Sequence, residues 1–262
     1  MWFEADNLVL TAAQATCVVL PAAGVPRPLE RFRGGAWALI LPLCIVVVIV
    51  AINEIPDTAD VLTWVALLLV PPGCALALGW AARGARWWLA PLAIPLLALA
   101  WADQDGSRAG ELATIALIVG SCVTLGRLLA GAAPLTLVKL GLIAMAVSDA
   151  ILVFGNELQA PNAVLVAAEP GAGLPQLQSA SFHFASLGYG DFFAAAVLGG
   201  ILAAQRRPQL VPAVAMLLVT LAWDQLFLVV DVLPATVPPA IVLIAVEVWA
   251  YARARRRVGA GS

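Results

Sequence analysis

The chain has 262 residues, of which 63% are hydrophobic and 11% charged, with 14 basic and 16 acidic side chains and a net charge of -2. Soluble domains average about 25% charged residues, and a soluble shape of this size has too little interior to hide so much apolar surface. A soluble enzyme, a disordered regulator and a nucleic-acid binder are therefore excluded, and the sequence reads as a polytopic protein of the lipid bilayer.

A bilayer core of about 30 Å takes roughly 17–25 apolar residues per helix. Runs of this kind lie near 7–24, 36–52, 61–82, 87–102, 112–131, 137–155, 180–204, 210–230 and 234–251. They predict an all-α fold, a bundle of nine transmembrane helices forming a single membrane domain over 1–262. The opening Met1-Trp2-Phe3-Glu4-Ala5-Asp6 is acidic where a secretory signal is basic, so the first run is expected to be retained. That run carries Asn7 and Gln14, which weaken its apolar character. The third contains Pro71-Pro72-Gly73, which predicts a kink or an unwound turn. The fourth is short, with Trp87 and Trp88 at one end and Trp101 at the other, the placing of an aromatic belt. The longest connection, 156–178, holds Pro161, Pro170, Gly171, Gly173 and Pro175 around a β-leaning Val164-Leu165-Val166. Cys17, Cys44, Cys74 and Cys122 lie inside apolar runs without CxxC spacing and read as small hydrophobes. With the lone His183 they make no metal set, so no metal or other cofactor is expected.

The charges give an independent test of this count. Numbering the connections alternately places Arg27, Arg31, Arg33, Arg83, Arg86, Arg127, Lys139, Arg206, Arg207, Arg253, Arg255, Arg256 and Arg257 on one side, and Arg108 alone on the other. Glu4, Asp6, Glu54, Asp57, Asp60, Asp103, Asp105, Glu111, Glu157, Glu169 and Asp231 gather on the Arg-poor side, and Glu30 on the Arg-rich one. Basic residues stay cytoplasmic, which predicts the N-terminus outside and the C-terminus in the cytoplasm.

Four acids remain inside apolar runs: Asp149, Asp191, Asp224 and Glu247. Glu247 lies near the cytoplasmic end of the last run, within reach of the terminal arginines, and reads as an interfacial ion pair. The other three sit deeper, where a carboxylate costs several kcal/mol unless protonated or paired. Asp149 and Asp191 fall on consecutive, hence antiparallel, helices near mid-depth, so they can meet. Gly188, Asp191, Ala195 and Gly199 follow helical spacing, a stripe that admits a close helix, with Ala146 one turn before Asp149. Gly188 and Gly190 also loosen the backbone before the acid. Two carboxyls in low dielectric share a proton, the aspartic-protease arrangement, which needs neither metal nor covalent nucleophile. By spacing and depth alone, the same acids also fit a proton-coupled transporter or plain helix-to-helix glue. Asp224, in Trp223-Asp224-Gln225 about two thirds along the eighth run, reads as a partner for a polar group on a neighbouring helix. His183 reads as an interfacial residue.

The order of three elements adds to this. Asp149, then Gly188-Tyr189-Gly190-Asp191 on the next helix, then Leu233-Pro234-Ala235-Thr236-Val237-Pro238-Pro239-Ala240 opening the last run, resembles the presenilin and signal peptide peptidase family of GxGD-type intramembrane aspartyl proteases. The resemblance covers the last four runs by motif and all nine by count. It implies that Asp149 and Asp191 form the catalytic pair. Gly188, Tyr189 and Gly190, with Pro234, Ala235 and Thr236, would shape the site and hold substrate. Ser148 stands where the family usually has Tyr, and Thr236 where Leu is expected; a shifted match to Pro239-Ala240-Ile241 is open. The implied activity is hydrolysis of peptide bonds within membrane helices by an activated water. The irregular backbone near Gly190 and Pro234–Pro239 would pair with an unwound substrate as a strand does. The charge count gives the orientation of signal peptide peptidases, so the expected substrates have a cytoplasmic N-terminus, signal-peptide remnants among them. Bacterial prepilin peptidases also carry Gly-x-Gly-Asp, usually with a soluble loop that often has paired CxxC motifs, which this sequence lacks. A proton-coupled transporter is the alternative from another class.

Overall fold

Apolar runs satisfy their backbone polar groups internally, and in the computed structural model they do so as helices. The structure describes residues 2–26, 30–31, 33–55, 57–102, 107–155, 164–165, 168, 170–171, 173–228, 230 and 233–259. Arg27, Asp103, Asp105, Glu157, Pro161, Val166, Glu169 and Asp231 lie outside the described residues, as does much of the 156–178 connection.

The elements in order are α1 (Trp2–Val19), a 3-10 turn (Gly35–Leu39) leading into α2 (Ile40–Glu54), α3 (Thr58–Leu76) and a 3-10 turn (Trp87–Leu92) leading into α4 (Ala93–Ala102). Then come α5 (Arg108–Ala132), α6 (Leu135–Phe154), β1 (Ser179–Phe182), β2 (Ala185–Gly188), α7 (Tyr189–Ala204), α8 (Leu210–Asp224) and α9 (Val237–Gly259). Among the described residues four helices are long and apolar enough to cross a membrane: Thr58–Ala81, Arg108–Ala132, Leu135–Phe154 and Val237–Arg256. The bent pair Gly35–Cys44 and Val46–Ile52 makes a fifth if it is one span. Trp87–Ala102, α7 and α8 are apolar but shorter. Large apolar side chains face outward around the bundle, Ile94 and Val211 each at 71% exposure, as lipid-facing residues do.

The all-α expectation needs one correction. The first part of the 180–204 run is an antiparallel hairpin, with Ser179 opposite Gly188 and Phe182 opposite Ala185. Polar and apolar residues alternate there (Ser179, Ala180, Ser181, Phe182), a period of two rather than 3.6. His183 takes the left-handed conformation in the turn, with φ 56°. Gly188 is thus the N-cap of α7 rather than part of a helical stripe. Val164 and Leu165 are helical rather than extended. Pro71-Pro72-Gly73 does not unwind a turn: α3 continues through it to Leu76 and then widens into a π-turn over Ala77–Ala81. Packing on α5 holds it, since Gly73 lies against Ser121, Cys74 lies against Gly120, and Thr124 Oγ1 donates to the Gly73 carbonyl at 2.7 Å.

The core is the seam of α5 with α7 and α1. A Cβ on Gly126 would run into the Ala196 carbonyl, and one on Gly200 into the Gly126 carbonyl. A Cβ on Gly199 would come within 2.6 Å of the Val18 carbonyl on α1. Such close backbone approach is how helices associate where lipid removes the hydrophobic drive. Cys17, Cys74 and Cys122 are buried in this core as small hydrophobes.

Candidate active site

Asp149 lies on α6 and Asp191 in the first turn of α7. Glu247 of α9 binds both Lys139 near the start of α6 (2.9 Å) and Arg207 just past the end of α7 (2.8 Å). These ends therefore adjoin, and the two helices run antiparallel. Glu247 is an ion-pair residue, as expected, and Lys139 and Arg207 are its partners among the described residues. Leu135 to Asp149 and Asp191 to Ala204 each span roughly 20 Å at 1.5 Å per residue, so both carboxyls stand at a common height. That height is nearer the hairpin end of the bundle than its middle.

Each carboxyl is held by a donor from its own surroundings. Asp191 reaches back over the start of α7, where the Gly188 N–H donates to its Oδ2 at 3.2 Å. The Tyr189 N–H points the other way, to the Gln178 carbonyl at 3.1 Å, as alternation along a strand requires. Asp149 is buried, and the buried Thr236 donates its Oγ1 hydrogen to Asp149 Oδ2 at 2.5 Å. Pro234 and Ala235 precede α9 immediately before that contact, whereas Pro239 and Ala240 lie inside the helix, so the unshifted register is the one that meets Asp149.

Both acids line one cavity of about 1240 Å³, together with Gly188, Tyr189, Gly190, Ala235 and Thr236. Neither Gly188 nor Gly190 has a positive φ. A Cβ on Gly190 would meet nothing within 4 Å, so this glycine keeps cavity space open beside Asp191 rather than loosening the chain. Tyr189 is anchored by a 2.7 Å hydrogen bond between its hydroxyl and that of Ser121 on α5. Two carboxyls, opposed hydrogen-bond supports and an adjoining strand edge can polarise a carbonyl and activate a water.

Asp224 is the last residue of α8 rather than two thirds along a longer helix, because a 3-10 turn, Gln225–Leu228, takes over. Asn7 Nδ2 of α1 donates to its Oδ2 at 2.8 Å, the neighbouring-helix partner that the sequence suggested. His183 sits at the hairpin turn, its backbone N–H donating to Glu111 Oε1 at 3.0 Å. Sequence reasoning missed the part α1 plays: Gln14 Nε2 donates to the Asp191 carbonyl at 3.2 Å. The signal was there, since Asn7, Thr11 and Gln14 share one face of an otherwise apolar helix.

No protein-family model matches the chain, and neither a curated protein nor a solved structure does.

Proposed function

We propose that the protein is an intramembrane aspartyl protease of the presenilin and signal peptide peptidase kind, with Asp149 and Asp191 as its catalytic pair. The observation that carries this reading is that two carboxyls from consecutive apolar helices line one cavity, with the Thr236 hydroxyl donating to one of them.

In the proposed reaction one carboxyl is ionised and the other protonated. The ionised carboxyl takes a proton from water as the water oxygen bonds to the scissile carbonyl carbon, and the protonated one gives its proton to the carbonyl oxygen. The resulting gem-diol collapses as the C–N bond breaks. The nitrogen takes the proton gained from water, and a diol hydroxyl returns a proton to the second carboxyl. An amine and a carboxylic acid leave, and the pair is restored. A substrate helix hides its carbonyl in hydrogen bonds and must unwind first. The second edge of β2 supports this step, because Ala185–Gly188 line the cavity and successive backbone groups alternate sides, which turns the Ser186 N–H away from β1.

All nine apolar runs cross the membrane in this reading, the shorter ones among them, with the N-terminus outside and the C-terminus cytoplasmic. The split of basic residues along the chain is its support. Substrates are then membrane helices with a cytoplasmic N-terminus, signal-peptide remnants included, because the two sides of the catalytic pair are not equivalent and fix the strand direction.

The test is cleavage of a tagged membrane-helix substrate by the purified protein, with and without a transition-state inhibitor of aspartyl proteases. Asp149→Ala and Asp191→Ala should each lower turnover by at least about a thousandfold, and the double change should be no worse, as for groups acting as a unit. Two reporters carrying one transmembrane segment in opposite orientations complete it. Cleavage only of the reporter with its N-terminus outside would overturn the orientation, and proton uptake by vesicles without any cleavage would favour the transporter.

A further inference from the structure

The cavity has a second polar station that the proposed chemistry does not use. Asp224 ends α8, where a negative charge opposes the helix dipole, so its carboxylate does not serve that helix. Among the described residues no cation pairs with it, and its one hydrogen-bond donor is Asn7. Two neighbouring residues line the same cavity and carry buried polar atoms. Thr220, one turn earlier on α8, is only 7% exposed, lines the cavity, and has no partner for its Oγ1 among the described residues. Trp223 lines the cavity as well, and its buried Nε1 is unpartnered among them too. The Asp224 carboxylate offers acceptors to an ammonium or guanidinium, while the Thr220 hydroxyl and the Trp223 indole N–H beside it are polar groups left to pair when a substrate chain fills the space.

The spacing to the catalytic pair follows from α1, which touches both stations. Asn7 holds Asp224 and Gln14 holds the Asp191 backbone, seven residues further along one helix. At 1.5 Å per residue that is roughly 10 Å. An extended chain covers it in about three residues at 3.3 Å each.

We propose that Asp224, with Thr220 and Asn7, is the subsite for a lysine or arginine of the substrate, about three residues from the bond cleaved, on the side towards the Trp2 end of α1. This rests on the protease reading. In the orientation given above it is the C-terminal side of the cleaved bond. The subsite favours helices whose apolar stretch ends in a basic residue shortly after the cleavage point.

The test uses the full chain in phosphatidylcholine liposomes and a set of membrane-helix substrates. A single lysine is walked residue by residue from the second to the sixth position after the cleaved bond, each compared with methionine there. The quantity read is the lysine-to-methionine ratio of kcat/KM, which cancels any loss of folded protein. The expected ratio peaks at the third position at about tenfold or more, falls towards one in Asp224→Asn, and persists in Asp224→Glu. A flat lysine scan overturns the subsite, and so does a ratio retained in Asp224→Asn. Failure of the wild-type protein to cleave the methionine substrates sinks the protease reading, and the subsite with it, whereas cleaved methionine substrates with no lysine preference sink the subsite alone.

Discussion

The two acids arrive on supports of different kinds. Asp191 begins a helix whose residues Phe192–Ala203 are all buried, seated on α5 and α1 through glycines that admit no Cβ. Asp149 rides on α6, where Val147, Ile151 and Phe154 face outward at 52%, 66% and 64% exposure, and the side-chain donor that holds it is the Thr236 hydroxyl at the start of α9. Ile244 and Val248 of α9 are turned outward as well. One carboxyl therefore starts a helix that is buried on every side, and the other sits on a helix with one outward face and depends on the Thr236 contact for its orientation. Changes at the packed seam should break the fold and take activity with it. Changes at the exposed flank should break the chemistry in a folded protein.

The largest expected effect is at the seam. Gly199→Val forces a branched side chain against the Val18 and Cys17 carbonyls, which neither helix can vacate without tearing α1 from α7. Overpacking of this kind costs about 3 kcal/mol or more. Thermal unfolding in detergent should show a large drop in Tm, with parallel loss of activity. A variant with unchanged Tm would mean that the seam yields, and that Asp191 is no better anchored than Asp149.

Thr236→Val comes next and tests the flank. Valine keeps the volume, so Tm should fall little, while Asp149 loses the hydroxyl that orients it. Removing a hydrogen bond to a charged or proton-sharing group is worth roughly 1.5–3 kcal/mol, an expected fall in kcat of about ten- to a hundredfold. KM should stay near its starting value, and Thr236→Ser should restore most of the rate. Unchanged kcat in the valine variant would remove Thr236 from any positioning role.

The same contrast explains what was legible in the sequence. The apolar runs marked where most of the helices lie, because an apolar stretch must satisfy its backbone polar groups internally. That Asp149 and Asp191 line one cavity could be anticipated because consecutive helices are antiparallel. The hairpin could not be seen in a hydropathy window, since Ala180, Phe182, Ala185 and Leu187 keep its mean high while only the alternation betrays a strand. The length of α8 was misjudged for a related reason: Gln225–Leu228 remain apolar enough to extend a run but fold as a 3-10 turn. The contacts of Gln14 and Asn7 depend on how α1 packs across the bundle, and neighbours in sequence carry no word of that. Thr236 was visible only as a departure from an expected leucine, and its hydroxyl acquires meaning once α9 lies beside α6.

The smallest effect is expected at Tyr189, which stands between the two regions. Its backbone closes the hairpin on Gln178 and opens α7, whereas its hydroxyl meets Ser121 across the α5 seam. Tyr189→Phe leaves the backbone and ring in place and strips the buried Ser121 hydroxyl of that partner, a loss of about 1 kcal/mol. Adding Ser121→Ala removes the stranded group, so the double variant should regain part of that stability, the signature of a direct pair in a double-mutant cycle. Turnover should stay within about fivefold of the starting protein, because the hydroxyl braces the seam and has no part in the proposed proton transfers, and fivefold is only about 1 kcal/mol of barrier. A fall of more than about a hundredfold, with Tm little changed, would assign the Tyr189 hydroxyl to the chemistry itself and make the site a three-group one.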